Sequence, residues 1–449
     1  MTNQSIVWFR RDLRLHDNPA WSAASRDADQ VVALYVIDPR LMASASQHRR
    51  TQLLAHLHGL DASLRKLGGR LHVLRGDPST VVPALKVRSK ATSIFVNADV
   101  TPYSRRRDER IDDQLVNPMK RSWGSLVHPP GSVVSSHNRT SRIFTPFFKR
   151  WIALPPQPTV GPTFVHVLDD VGDGLPRLSA TPFQSGGEDA AMERLADFSA
   201  RVDEYNETRD LPAIAGTSML SVDLRFGTLS PRAVAASIGT ATTGRTAFVR
   251  QLAWRDWYAH LLYEDPAMAT HNVRSNLDHL SWNNDPSDIK AWQHGLTGFP
   301  LVDAGMRELA ATGWMHNRVR MVVASFLVKD LLVDWRIGER WFRHLLVDAD
   351  VAQNVGNWQW SAGTGFDAAP YFRVFNPVTQ SRRFDPRGAY IKSWLPELAG
   401  MPPNSVHAPW TASPEVLSAA GVTLGVDFPF PIIDHAFARQ RALSAYASK

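Results

Sequence analysis

The sequence predicts two folds in series. A Rossmann-like α/β domain with a doubly wound parallel sheet comes first, and an all-α domain follows. Three observations carry this. Residues 1–128 alternate short β-branched runs with amphipathic stretches, the pattern of strands joined by helical crossovers. From Glu188 onward strand signals fade and helical spacing takes over. Between them, residues 129–187 are punctuated by Pro129, Pro130, Pro146, Pro155, Pro156, Pro158, Pro162, Pro176 and Pro182, which reads as an inter-domain linker crossing the surface. At 449 residues the chain is also too long for one core. The expected organisation is therefore 1–128 α/β, 129–187 linker and 188–449 helical.

In the first domain, Ser5–Arg10, Val31–Ile37, Arg70–Leu74, Ser93–Asn97 and Ser125–Val127 read as strands. Asn18–Arg26, Arg49–Leu67, Ser79–Val87 and Tyr103–Leu115 read as helices. No Gly-x-Gly-x-x-Gly follows the first strand and there is no P-loop, so the usual dinucleotide and nucleoside-triphosphate fingerprints are absent. In the second half, Met321–Trp335 is apolar on nearly every face. It is expected as a helix buried in the domain centre, too short to be read as a membrane span.

Composition excludes several classes. Hydrophobic residues make up 44% and charged residues 21%, the balance of a folded soluble protein. No apolar run reaches the roughly 18 residues of a membrane span. The N-terminus lacks the basic start and apolar stretch of a signal peptide, so a cytoplasmic protein is expected. With no cysteine, disulfides, Cys-ligated zinc and Cys-ligated iron–sulfur clusters are excluded. No His-Glu-x-x-His spacing occurs, no metal is expected, and redox chemistry would need an organic cofactor. A net charge of +7 and a pI of about 9.7 are compatible with nucleic acid. Nine of the 15 tryptophans fall between Trp254 and Trp360, as either a large aromatic core or a functional array.

Four segments can carry chemistry. In Gly216-Thr217-Ser218-Met219-Leu220-Ser221, three hydroxyls precede a helical pattern, as a phosphate site or an ordinary N-cap. Ser230-Pro231-Arg232 has the same ambiguity. On a helix, Gln251, Trp254, Arg255 and Tyr258 share one face, which offers an amide, an indole and a guanidinium to an unstacked base, or forms an aromatic seam. Asn317, Arg318 and Arg320 enter the apolar helix at Met321 and need partners, which Asp348, Asp350 and Asn354 could supply. The Asp-x-Asp spacing of that pair lacks the further carboxylates of a hard-metal site. Trp358 and Trp360, two apart with Gly363 after them, read as a turn or irregular helix with one ring inward and one outward.

These segments resemble the photolyase/cryptochrome family, and especially bacterial class I cyclobutane pyrimidine dimer photolyases. The likeness begins at Val7-Trp8-Phe9-Arg10-Arg11-Asp12-Leu13-Arg14, resumes at Leu229-Ser230-Pro231-Arg232, and is densest from Trp254 to Asp385. It includes Gly313–Met321 (GWMHNRVRM), Ala324–Trp335 (ASFLVKDLLVDW) and Asp367–Pro377 (DAAPYFRVFNP). The resemblance implies an α/β antenna domain, a helical FAD domain, and light-driven electron transfer from reduced FAD to cyclobutane dimers in UV-damaged DNA, single- or double-stranded, by a monomer. A damaged pair is flipped out of the helix for this. By the same resemblance Tyr205, Thr217, Ser218, Met219, Leu220, Ser221, Arg255, Arg320, Asp348, Ala349, Asp350 and Asn354 would hold the flavin. Asn354 would lie by its N5. Trp358, Trp335 and Trp282 would relay electrons to oxidised flavin. Trp254 and Trp360 would flank the lesion, with Gln251, Asn317 and Met321 beside it, and Arg209, Arg318, Arg373 and Gln380 would contact DNA.

Three departures stand out. Met219 replaces a frequent arginine. Gln251 replaces the glutamate usual in dimer photolyases; glutamine is also common at that place in (6-4) photolyases and animal cryptochromes. Tyr103-Ser104 stands where folate-binding relatives place Asn-Glu, so an 8-hydroxy-5-deazaflavin antenna, or none, is expected rather than methenyltetrahydrofolate. The competing expectations are a cryptochrome-type photoreceptor and (6-4) repair.

Overall fold

The structure is a computed structural model that describes residues 3–155, 157–160, 165–370 and 373–447. Pro156 and Pro162 of the proline-rich stretch, and Tyr371-Phe372 within the Asp367–Pro377 string, lie outside the described residues. The chain forms two compact units. One comprises Met1–Asn206, Ser218–Ala269 and Asp350–Ala352. The other comprises Glu207–Thr217, Thr270–Ala349 and Gln353–Lys449.

The first unit is built on a parallel sheet of β1 (Gln4–Phe9), β2 (Gln30–Ile37), β3 (Leu71–Arg75), β4 (Ser93–Asn97) and β5 (Lys120–Ser122), in the order β3-β2-β1-β4-β5. A short β6 (His166–Val167) also pairs with β2. The crossovers are α1 (Pro19–Asp27), α2 (Pro39–Ser44) with α3 (Gln47–Arg65), α4 (Pro78–Ser89) and α5 (Pro102–Asp112). The starts of α1, α2, α4 and α5 are set by one local device. Asn18, Asp38, Asp77 and Thr101 cap free backbone N–H groups, and each is followed by proline at the first helical position. The expected doubly wound sheet is thus present. Its core packs Ile6, Trp8, Val32, Leu34, Ile94 and Val96 against Val82, Leu85 and Ile111.

The last strand differs from expectation. Ser125–Val127 is not a strand, because its backbone groups are held by side chains. The amides of Val127 and His128 donate to the buried Asp256 carboxylate, and Arg255 donates to the Ser125 carbonyl. The edge strand is instead the polar Lys120–Ser122. The proline-rich stretch also holds more than a surface crossing. It contains α6 (Phe144–Ala153), whose Phe144, Phe147 and Trp151 are buried. The unit continues through α7 (Glu188–Ser199), the first turn of α8 (Tyr205–Thr208), α9 (Ser221–Phe226), α10 (Pro231–Ile238) and α11 (Thr243–Glu264). Gly227, with φ +71°, lets the chain after α9 close on the loop after β1. A Cβ there would come 2.0 Å from the Arg11 carbonyl oxygen.

The second unit is helical: α12 (Pro286–His294), α13 (Pro300–Thr312), α14 (Asn317–Ser325), α15 (Trp335–Leu345), most of α16 (Val351–Ala362), α17 (Pro377–Phe384), α18 (Ala389–Trp394), α19 (Pro414–Ala420) and α20 (His435–Ala447). The apolar run Met321–Trp335 is buried as expected but is not one helix. α14 passes into a π turn at Phe326–Asp330, and the chain then breaks at Leu332, whose φ is +55°. The turn carries two buried ionisable groups whose partners lie elsewhere in the unit. Lys329 Nζ reaches the Ala362 carbonyl, and Asp330 pairs with His435. A regular i→i−4 ladder gives way there to wider bonds such as Leu331 N–H to Phe326 C=O. Among the described residues, no helix is long and apolar enough to cross a membrane.

Candidate functional site

The residues expected to act divide between the two units, and each set has its own geometry. In the first unit, Tyr205 packs edge-on against Phe198 and Phe248, with ring centroids 5.7 and 5.5 Å apart. Ser218, Met219 and Leu220 lead into α9. Met219 takes a left-handed φ of +55°, and Ser218 Oγ accepts from the Leu220 amide, so Ser218 organises the approach while Ser221 opens the helix. Ser230 caps α10, accepting from Ala233 N, and its hydroxyl donates to the buried Asp17, which also pairs with Arg232.

α11 carries Gln251, Trp254 and Arg255. Gln251 donates to the Ala247 carbonyl one turn back and is half-buried. Trp254 is half-buried and stacks on Phe144 of α6, with centroids 3.7 Å apart and planes 11° apart. Arg255, half-buried, has its guanidinium turned to backbone carbonyls. It donates to the carbonyls of Ser125 and Leu224, and burial lowers its pKa. Asp350, at the start of α16, is bonded by Arg11 from the loop after β1, and Arg11 also reaches Asp99. Burial alone would lower the Arg11 pKa, but the two carboxylates outweigh it and the net shift is upward.

The second unit holds the rest. Arg320 donates two parallel hydrogen bonds to Asp348, Nη1 to Oδ1 at 3.1 Å and Nη2 to Oδ2 at 2.9 Å, and donates through Nε to the Met315 carbonyl. Arg318 pairs with Asp210 at 2.9 Å, and its guanidinium lies 4.2 Å from the Phe384 ring centre. Asn317 and Met321 are neighbours one turn apart, with Nδ2 3.9 Å from Sδ. Thr217 and Arg209 are half-buried near α8, Ala349 is buried, Arg373 is exposed, and Gln380 is half-buried on α17.

Asn354 Nδ2 donates to both the carbonyl and the carboxylate of Glu339, each at 2.9 Å. Burial raises the Glu339 pKa, and the bond from Asn354 partly offsets it. The amide is thereby oriented, and Oδ1 is the group it has left to offer. Glu339 carried no motif signal in the sequence.

Trp358 and Trp360 lie on a regular helix rather than a turn; Trp358 points inward at 2% exposure and Trp360 is half-exposed. Trp358 meets Phe342 and Trp292 edge-on, at 5.0 and 6.2 Å. Gly338 makes its space, since a Cβ there would sit 2.1 Å from Cη2 of Trp358. Trp335 is fully buried, and its Nε1 donates to Asn272 Oδ1 at 2.8 Å. Trp282 is half-exposed and meets Tyr446 edge-on at 6.4 Å.

One further feature was not foreseen. A cavity in the first unit is lined by Arg40, Ser79, Tyr103, Arg106, Arg107 and Arg110. It draws on α2, α4 and α5, distant in sequence. The Tyr103 hydroxyl donates to Asp38, and burial with that carboxylate pushes its pKa up to about 12. The crevice between β1 and β4, the usual ligand position of such a sheet, is taken by the chain's own ion pairs: Arg10 with Asp108, and Arg11 with Asp99.

Comparison with known proteins matches residues 5–162 to the family described as DNA photolyase and residues 248–448 to the FAD binding domain of DNA photolyase. A deoxyribodipyrimidine photo-lyase of Escherichia coli is 39% identical over 98% of both chains. The solved structure of a bacterial class III photolyase from Agrobacterium tumefaciens superposes with a TM-score of 0.92 at 38% identity, covering 100% of this chain and 98% of that one. An archaeal photolyase from Sulfolobus tokodaii, described with two FAD molecules, gives 0.85 at 36% identity and covers 99% of each chain.

Proposed function

The chain belongs to the photolyase/cryptochrome family, and on that premise we propose that it is a deoxyribodipyrimidine photo-lyase, splitting cyclobutane pyrimidine dimers in UV-damaged DNA with blue light. It acts as a cytoplasmic monomer on single- or double-stranded DNA. The observation that carries the reading is a set of three indoles in the helical unit, one half-exposed, Trp282, and two buried, Trp335 and Trp358. Indoles are readily oxidised, and such a series admits electrons from solvent to a buried redox group.

The residues present fit FAD. Reduced FAD, when bound, supplies an electron on excitation. By the family resemblance, Tyr205, Thr217, Ser218, Met219, Leu220 and Ser221 would hold its phosphates and ribityl chain, and Arg255, Arg320, Asp348, Ala349 and Asp350 would complete the set. Asp350, held by Arg11, offers carboxylate oxygens that suit an N–H donor. Arg320 is fixed by Asp348. Asn354, its Nδ2 committed to Glu339, presents Oδ1 as an acceptor for a ring N–H. Trp254 and Trp360 flank the flipped pyrimidine pair, with Asn317 and Met321 at its side. The Gln251 amide donates to it without needing to be protonated. Arg209, Arg318, Arg373 and Gln380 face DNA, and phosphate contacts by the arginines make binding fall with salt.

The arginine-lined cavity suits an anionic antenna chromophore, 8-hydroxy-5-deazaflavin rather than methenyltetrahydrofolate. Its lining brings four guanidiniums together; Arg40 and Arg107 are paired with Asp38 and Asp108 and lie against the Tyr103 ring, and Arg106 and Arg110 add further positive charge. The absorbance of protein purified from its own host tests this; a folate spectrum would overturn it.

The main test is blue-light irradiation of reduced protein with dimer-containing DNA. Loss of dimers in proportion to absorbed light is expected. Flavin photochemistry with no loss of dimers would reject repair in favour of a cryptochrome-type receptor.

A further inference from the structure

α6 was hidden in the proline-rich stretch, and its aromatic face is built onto one residue of α11. Phe144, 1% exposed, lies nearly parallel to Trp254 with centroids 3.7 Å apart. Phe148, one turn on, stacks next to Phe144 at 5.9 Å with planes 18° apart. Arg250 precedes Trp254 by one helical turn. Its guanidinium sits 5.1 Å from the Phe144 ring centre and 5.2 Å from that of Phe148. Trp254, Phe144 and Phe148 thus form a column of three rings closed by a cation, all within the first unit.

A half-buried indole can swing about its two side-chain torsions unless something fixes its plane. Here Phe144 covers one face, and Arg250 holds Phe144 by cation–π attraction from the same helix that carries Trp254. Trp257 and Tyr258 of its own helix also touch the indole, at 5.1 and 5.7 Å, but both meet it at an angle, so Phe144 is the ring that lies flat on it.

We propose that Phe144 is a positioning residue for lesion binding: it sets the plane of Trp254, with Arg250 as its clamp, so that the pre-set indole receives the flipped dimer without a separate ordering cost. Preorganisation of this kind raises affinity for the lesion alone, because undamaged DNA presents no flipped base to the indole. The inference rests on Trp254 being a lesion contact.

The test measures binding of FAD-loaded protein to a dimer-containing oligonucleotide and to its undamaged counterpart. Phe144→Leu, which keeps apolar bulk but removes the plane, is expected to weaken dimer binding by about five- to tenfold while leaving undamaged binding and flavin content unchanged. Phe144→Tyr, which restores the plane, is expected to return dimer binding to within about twofold. In a Trp254→Ala background, Phe144→Leu should add nothing further. A Leu variant that binds the dimer as well as wild type, or one whose loss persists fully in the Trp254→Ala background, overturns the proposal. Equal loss on both DNAs, or loss of flavin, also overturns it by showing a structural role. If Trp254→Ala itself leaves dimer binding intact, the assignment of Trp254 to the lesion fails instead.

Discussion

Trp254 in the first unit and the Trp282–Trp335–Trp358 series in the second use one side chain in opposite settings. Trp254 is half-buried, with a face stacked flat on Phe144. Trp335 and Trp358 are buried; Trp358 meets Phe342 and Trp292 by edges in the space Gly338 leaves, and the Trp335 N–H is fixed by Asn272. A stacked, half-buried ring is suited to touching a planar ligand. A buried ring held in a rigid apolar shell is suited to losing and regaining an electron without moving. The difference lies in the surroundings, so it can be broken one residue at a time.

The largest effect is expected where the buried series is cut. Trp358→Phe should slow photoreduction of oxidised flavin by about 100-fold or more, since a phenyl ring is far harder to oxidise; each tenfold is about 1.4 kcal/mol of barrier. Steady-state bleaching of the flavin band checks this. Trp254→Ala should instead weaken dimer binding by roughly 10- to 50-fold, as removal of a stacked base contact does, with photoreduction unchanged. Photoreduction lost with Trp254, or dimer affinity lost with Trp358, would merge the two sets.

A third expectation concerns the shell around the series. Lys329 on the π turn is buried. Its Nζ lies 3.4 Å from the centre of the Tyr446 ring, which in turn meets Trp282, and burial lowers its pKa to about 7. The unfolded chain holds that proton to about pH 10.4, so between the two values it is the unfolded state that binds more protons. Stability should therefore rise with pH through this window, by about 2 kcal/mol from pH 7 to 9. Denaturant unfolding at several pH values checks it, and Lys329→Met should flatten the rise. The smallest effect is expected at Gln251. Gln251→Glu should leave dimer repair unchanged or raise it by up to about threefold, because a glutamine amide can already donate a hydrogen bond without being protonated. A large decrease in a repair assay would mean the pocket handles the lesion differently.

The two settings were unequally legible in the sequence. Strands β1–β4 could be placed because apolar alternation and capped Pro-initiated helices bounded them. β5 could not, since Lys120–Ser122 is polar and the more strand-like Ser125–Val127 is taken by Asp256. α6 was masked by Pro146, which is tolerated in a first helical turn where N–H groups lack partners anyway. The π turn at Phe326–Asp330 left no trace, because a segment apolar on every face has no period to interrupt. At the site, the need of Arg320 for a partner was legible, with Asp348 among three candidates, and the family resemblance implied the pair itself. Glu339 behind Asn354, Gly338 under Trp358, Phe144 on Trp254 and the cavity around Tyr103 could not be anticipated. Each depends on packing between segments far apart in the chain.

The most direct test of the division is dimer repair per absorbed photon by chemically reduced Trp358→Phe protein at saturating dimer-containing DNA. Wild-type yield is expected, because the buried series serves only to reduce the flavin. A collapse of repair in that reduced protein would contradict it.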